Sequence, residues 1–138
     1  MIQCVSLTLR DLRQTSESMP FNKLLGVRIV RRHSDGVTIE CTLREDLLNI
    51  AGAVHGGVLA SMADTAMGIG LHSHFGGRRP ITTTEMKINY LRPVKHGKVA
   101  ARSHILRVGK HLCVGRVDLL DGERKLVAVA IVTYMLLE

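Results

Sequence analysis

Tryptophan is absent from this chain, and only two phenylalanines and two tyrosines occur among its 138 residues. Proteins that bind single-stranded nucleic acid stack bases on aromatic rings, so ring-rich strands of that kind are missing here. Cysteine is scarce too. Cys4, Cys41 and Cys113 are odd in number and widely spaced, which opposes a disulfide framework or a cysteine zinc knuckle. No apolar run is long enough to span a bilayer, because Asp64 divides the longest one. The first residues lack the basic region, apolar core and cleavage site of a secretory signal. Asp11 and Glu17 oppose a transit peptide, and Cys4 stands too early to follow a lipoprotein-type signal. The expectation is a cytoplasmic protein with no membrane partner. There is no Walker phosphate loop, no dinucleotide fingerprint and no Gly-x-Ser-x-Gly elbow, so a serine triad has little support. Internal repeats and low-complexity segments are also missing.

A hydrophobic fraction of 46% over this length suits one compact domain with one core. The formal net charge of +7 draws anions. It is scattered over several segments and forms no basic helix, so it favours a small phosphate-bearing ligand over nucleic acid. Cys41 alternates with Val37, Ile39 and Leu43 and reads as a buried strand thiol acting as a small hydrophobe.

The pattern along the chain predicts an amphipathic helix over 6–17, with Leu7, Leu9 and Leu12 as its contacts. A second short turn or helix follows at Phe21–Leu25, stopped by Gly26. A strand over 27–32, a turn at Ser34-Asp35-Gly36 and an alternating strand over 37–43 come next. Residues 44–54 read as a loop. A helix over about 56–73 is apolar almost all round, which suits a helix wrapped by a sheet or held at an interface. Gly68 and Gly70 weaken it locally or permit close packing on a neighbouring strand. Four strands are expected at about 82–91, 98–108, 111–120 and 124–136, with a possible bulge through Gly109 and a hairpin turn at Asp121-Gly122. The last strand is apolar on both faces and should be central or covered on both sides. Hairpin spacing favours antiparallel pairing, and the class is α+β: a curved antiparallel sheet around one long helix.

The candidate chemistry sits where the loop enters that helix. Gly56 and Gly57 place backbone amides at a helix start, able to hold an anion or a developing oxyanion. The plainer alternative is a tight corner beneath the sheet. His55 is a capping residue or a base. Asn49 either forms an Asx turn or orients a reacting group. Gly57, Ala60, Ser61, Asp64 and Gly68 share one side of the helix, a narrow small or polar stripe on a core-like element. Asp64 there either bonds to a loop amide, or aligns water or attacks an electrophilic carbonyl. Ser61 can touch a substrate or bond to the carbonyl four residues back. His72-Ser73-His74 has no accompanying carboxylate or cysteine pattern, so no metal is expected.

Asn49-x5-His55-Gly56-Gly57-x6-Asp64, with Thr84-Glu85-Met86-Lys87-Ile88-Asn89-Tyr90-Leu91-Arg92-Pro93 and Arg107-x-Gly109-Lys110, resembles the hotdog-fold thioesterases, particularly the phenylacetate-degradation and acyl-CoA thioesterase branch. The resemblance covers residues 20–136, and residues 1–19 then form an N-terminal helical extension to a hotdog domain over 20–138. It implies a curved sheet wrapped around the long helix. It also implies a homodimer with joined sheets, often paired again into a homotetramer, and a site between subunits. The implied activity is hydrolysis of an acyl or aryl thioester of coenzyme A, without cofactor. Carried over by the resemblance, Asp64 is the carboxylate, Asn49 the polar loop residue, the Gly57 amide the oxyanion donor, and His55 the histidine near the thioester. Gly56 and Ser61 line the substrate. Thr83 or Thr84 places a hydroxyl beside Asp64 or its water. Arg92, Lys95, Arg107 and Lys110 are candidates for the coenzyme A phosphates. A noncatalytic binder of acyl-CoA or acyl-carrier protein is the alternative, with a nucleic-acid or purely structural role behind it. A hotdog hydratase would carry an Asp-x4-His arrangement that the matching region lacks.

Overall fold

The computed structural model describes residues 6–138. Cys4 and the expectation attached to it lie outside the described residues. The elements run α1 (Leu9–Ser16), α2 (Pro20–Leu25), β1 (Val27–His33), β2 (Gly36–Thr42), α3 (Gly56–His74), β3 (Ile81–Tyr90), β4 (Lys98–Val108), β5 (Leu112–Leu120) and β6 (Leu126–Leu136). A short 3-10 turn at Glu45–Leu47 interrupts the loop before α3. All six strands form one antiparallel sheet in the order β1-β2-β4-β5-β6-β3. This is a single hotdog-like α+β domain, with the long helix packed against the sheet.

Period-2 burial on the strands and near-uniform burial on α3 fit together. Val37, Ile39 and Cys41 of β2, Val99, Ala101 and Ser103 of β4, and Val117 and Leu119 of β5 are buried on the helix side. Against them α3 sets Met62, Ala63, Ala66, Met67 and Leu71, none with measurable exposure. Each large apolar side chain removed from water in this way contributes about 1.5–3 kcal/mol. Cys41 is buried, its thiol donates to Leu25 O at 3.2 Å, and burial pushes its pKa up.

One boundary holds and one moves. Gly109 separates β4 from β5, as expected, and the chain does not continue through it as a bulged strand. It turns there, with Gly109 N donating to Leu112 O at 2.8 Å, and the bulge falls earlier in β4, between Ile105 and Arg107. The last strand begins at Leu126, because Asp121 uses its carboxylate to close the hairpin, accepting from Glu123 N and Lys125 N, each at 2.9 Å. That strand is interior, between β5 and β3, yet Ile131 and Met135 on its outer face are exposed in the single chain.

The two edges of the sheet are treated differently. Along β1, Arg13 Nε donates to Ile29 O and Ile29 N donates to Glu17 Oε1, both at 2.9 Å, so α1 and the residue after it strap that edge. Leu12 of α1 is fully buried beneath. At the other end β3 pairs only with β6 among the described strands, and seven of its ten residues are exposed.

Candidate active site

The loop ahead of α3 is closed by Asn49. Its Oδ1 accepts from Ala51 N at 3.0 Å and Ala53 N at 3.1 Å, and its own N–H donates to Ala53 O at 2.7 Å. The Asx turn therefore consumes the acceptor end of the side chain. The Nδ2 end meets no acceptor among the described residues. A cleft of about 310 Å³ opens beside it, lined by Asn49, Gly56, Leu59, Tyr90 and Arg92 among others.

His55 is the N-cap of α3, and its Nδ1 accepts from Gly57 N at 2.8 Å. The Gly57 amide is thus not open at the helix start, which corrects the reading of it as a free donor. An Nδ1 that accepts carries no proton, so the ring hydrogen sits on Nε2. Gly57 must be small here: a Cβ would lie 2.9 Å from His55 Nδ1. At Gly56 the constraint is different. Tyr90 packs on it so closely that a Cβ would lie 3.2 Å from the ring, and the Tyr90 hydroxyl donates to Gly56 O at 3.0 Å. Ser61 donates back to Gly57 O at 2.8 Å, the local alternative among its two readings.

Two turns into the helix the sheet leaves a stripe uncovered. Ala60, Ser61, Asp64, Thr65 and Gly68 are half-buried, whereas Met62, Ala63, Ala66 and Met67 are buried. The Asp64 carboxylate meets two hydroxyls there. Thr83 Oγ1 donates to Oδ1 at 2.8 Å, and the Tyr134 hydroxyl lies 2.7 Å from the same oxygen. That hydroxyl is also 2.8 Å from Asp64 O, so its one proton serves either acceptor. Burial and the bond to Asp64 push the Tyr134 pKa far above the ordinary phenol value of 10.0, against a smaller opposing effect of Thr83, so the hydroxyl keeps its proton.

Thr83 and Thr84 are separated by a bulge. Thr83 pairs with Tyr134 across β3 and β6, and the register shifts between Thr83 and Glu85. Thr84 therefore turns away from Asp64 and donates to Thr133 O at 3.2 Å. Of the four basic candidates, Arg92 lines the cleft beside Asn49, whereas Lys95, Arg107 and Lys110 are exposed and take no part in lining it.

Asp64 and Gly57 share a face but not a place. Seven residues at a rise of about 1.5 Å put them about 10 Å apart along the helix axis. The corner group of Asn49, His55 and Gly57 and the carboxylate group of Asp64, Thr83 and Tyr134 are two separate clusters within one chain.

Tyr134 escaped the sequence analysis, and Tyr90 entered it only as part of a motif, with no role of its own. The signal for Tyr134 was an aromatic hydroxyl in a strand that is apolar apart from it and Thr133, since a buried tyrosine hydroxyl needs a partner. Tyr90 carried no comparable signal.

One long helix cradled by a six-stranded antiparallel sheet, with a glycine corner at its start and a carboxylate inside it, defines a hotdog-type domain. The chain matches the thioesterase superfamily over residues 51–128 and belongs to that family. It is 30% identical over 132 residues to the medium/long-chain acyl-CoA thioesterase YigI of Escherichia coli (strain K12), with 85% of each chain covered. Among solved structures it is similar to a thioesterase from Haemophilus influenzae, with a TM-score of 0.90, 25% identity, and 100% and 96% of the two chains covered. It is also similar to the phenylacetic acid degradation protein PaaI from Thermus thermophilus, with a TM-score of 0.79, 27% identity, and 86% and 100% covered. The chain therefore carries the fold of a thioesterase-type hydrolase. No helix among the described residues is long and apolar enough to cross a membrane.

Proposed function

We propose that this protein is an acyl-CoA thioesterase, cleaving the thioester to a free carboxylic acid and coenzyme A at a site completed by a second copy of the chain. The observation that carries this reading is the state of Asp64. Its Oδ1 is committed to Thr83 and Tyr134, and no described residue donates to Oδ2. A carboxylate so held has one oxygen to take a proton from water. The water oxygen then bonds to the thioester carbon, the C–S bond breaks, and the thiolate leaves. Direct attack by Asp64 through a mixed anhydride is the less favoured route.

The donors that would steady the carbonyl belong to the other cluster. With Nδ1 closed on Gly57, His55 presents Nε2–H, and Asn49 presents Nδ2. Because the Gly57 amide is already used, its part is to hold His55 in place, and it reaches an oxyanion directly only if that contact opens. The roughly 10 Å between the clusters favours a site built from the corner of one copy and the carboxylate of another. The sheet edges support such a pairing. The β1 edge is strapped by α1, whereas the ten-residue β3 edge is open, the usual place for strand-to-strand association. Exposed Leu106, Leu112, Ile131 and Met135 on the outer part of the sheet would be covered if two such dimers packed together.

The similarity to the Escherichia coli enzyme supports medium or long acyl chains, and the likeness to PaaI keeps aryl-CoA in view. Arg92, at the cleft mouth, is the best placed of the basic residues for the coenzyme A phosphates. The occupied Gly57 amide is the one observation that favours a noncatalytic acyl-CoA binder instead. Thiol release from a panel of short-, medium-, long-chain and aryl-CoA substrates separates the readings. Turnover of at least one, well above an Asp64→Asn background, is expected. A panel with tight binding and no turnover would leave the binder.

A further inference from the structure

We infer that Tyr134 is a positioning residue for Asp64, deciding which carboxylate oxygen is anchored and which is left to act on water. This rests on the reading of Asp64 as the base. The geometry around it is specific. Thr83 and Tyr134 are opposite one another in the β3–β6 ladder, and both hydroxyls converge on Oδ1 of one carboxylate. A carboxylate with a single partner can rotate and exchange its two oxygens. Thr83, together with a tyrosine hydroxyl whose proton is shared between Oδ1 and the backbone carbonyl of the same residue, holds its plane and leaves Oδ2 as the open acceptor. Tyr134 is the stiffer of the two anchors. It is 6% exposed and lies on an interior strand, whereas Thr83 is exposed on the open edge.

The helix is cut to admit this tyrosine. One turn beyond Asp64 stands Gly68, where a Cβ would lie 2.8 Å from the Tyr134 hydroxyl oxygen and 3.5 Å from its ring. A glycine inside a helix is destabilising relative to alanine, so its presence is matched by a steric need. Met67, beside Gly68, is fully buried, so the clearance belongs to the tyrosine and not to a general thinning of the helix.

The step assigned to Tyr134 transfers no proton. Its hydroxyl stays protonated and donates, while Asp64 Oδ2 receives the proton from water. Loss of the hydroxyl leaves Thr83 as the only described side chain holding the carboxylate and frees it to rotate. Tyr134→Phe is therefore expected to lower kcat by about 10- to 100-fold, as misplacement of a reacting group does, with KM changed less than about twofold. Gly68→Ala, which leaves the hydroxyl in place but presses on it, should lower kcat too. In the Tyr134→Phe background it should add little, because its effect passes through the hydroxyl. Thr83→Ser should keep most of the activity that Thr83→Val loses. Unchanged kcat in folded Tyr134→Phe would overturn the inference, and so would a rise in KM as large as the fall in kcat. If Asp64→Asn itself turns over at the parental rate, the reading of Asp64 as base fails first. If Asp64→Asn is inactive and Tyr134→Phe is indistinguishable from the parent, only the positioning role fails. Gly68→Ala and the Thr83 pair test the same anchor if Tyr134→Phe does not fold.

Discussion

The imidazole of His55 closes on the amide of Gly57 at 2.8 Å, a side chain satisfying a helix-start donor two residues further along. One contact thus settles three things: the tautomer of His55, the occupancy of the Gly57 amide, and the size limit at position 57. His55→Ala is expected to lose about 1 kcal/mol of stability, the usual cost of removing an N-cap acceptor. Gly57→Ala should be at least as damaging to the corner, since its Cβ would lie 2.9 Å from Nδ1. Urea unfolding of the two variants checks this. A His55→Ala protein as stable as the parent would mean the cap contributes nothing.

Asp64→Ala should lower turnover by about 10²-fold or more, in the range for general acid–base groups, while substrate affinity changes little. The Tyr134 hydroxyl retains the backbone carbonyl of residue 64 as an acceptor, so no buried donor is orphaned by the change. The protein should therefore fold, and single-turnover kinetics can be read without a stability correction. Near-parental turnover in that folded variant would exclude Asp64 as the base.

Activity should depend on assembly. The exposed β3 edge and the separation of the two clusters motivate this expectation. Size measurements paired with specific activity over a dilution series should show the two falling together. A monomer with full specific activity would overturn the shared site.

Raised salt should weaken binding of acyl-CoA more than binding of a short uncharged thioester, because exposed charges are screened. Neutralising Arg92 should reproduce part of that selective loss, ahead of Lys95, Arg107 or Lys110, which lie outside the cleft lining. Equal salt sensitivity of the two substrates, with no selective loss in any variant, would leave all four as surface charge.

Acid should destabilise the fold partly through Asp35, in the β1–β2 turn. Burial alone would raise its pKa, but Arg102 at 2.6 Å and His104 at 3.1 Å donate to its carboxylate, and the net shift is downward from 3.8. A lowered folded-state pKa means that this contribution is present above 3.8 and is lost as pH falls through the folded value. Denaturation midpoints below about pH 4 should therefore drop less steeply for Asp35→Asn than for the parent. Identical slopes would show that Asp35 carries none of the acid sensitivity.

The elements and the stripe were legible in the order of the residues alone. Alternation in β2, apolarity over most of the 56–73 helix and the Asp121-Gly122 turn are local patterns, and local patterns survive without knowledge of the partners they meet. The half-buried ladder through Asp64 followed from helix periodicity alone. Tertiary structure decided the rest. Whether Thr83 or Thr84 reaches Asp64 depended on a bulge visible only once β3 pairs with β6. Whether the Gly57 amide is open depended on the rotamer of His55. Tyr134 stands 70 residues from Asp64 along the chain, and only the folded sheet, which sets β6 beside β3 and both against the helix, brings the two together. Contacts of that kind have no periodicity to betray them, because they join elements that the chain visits far apart along its length.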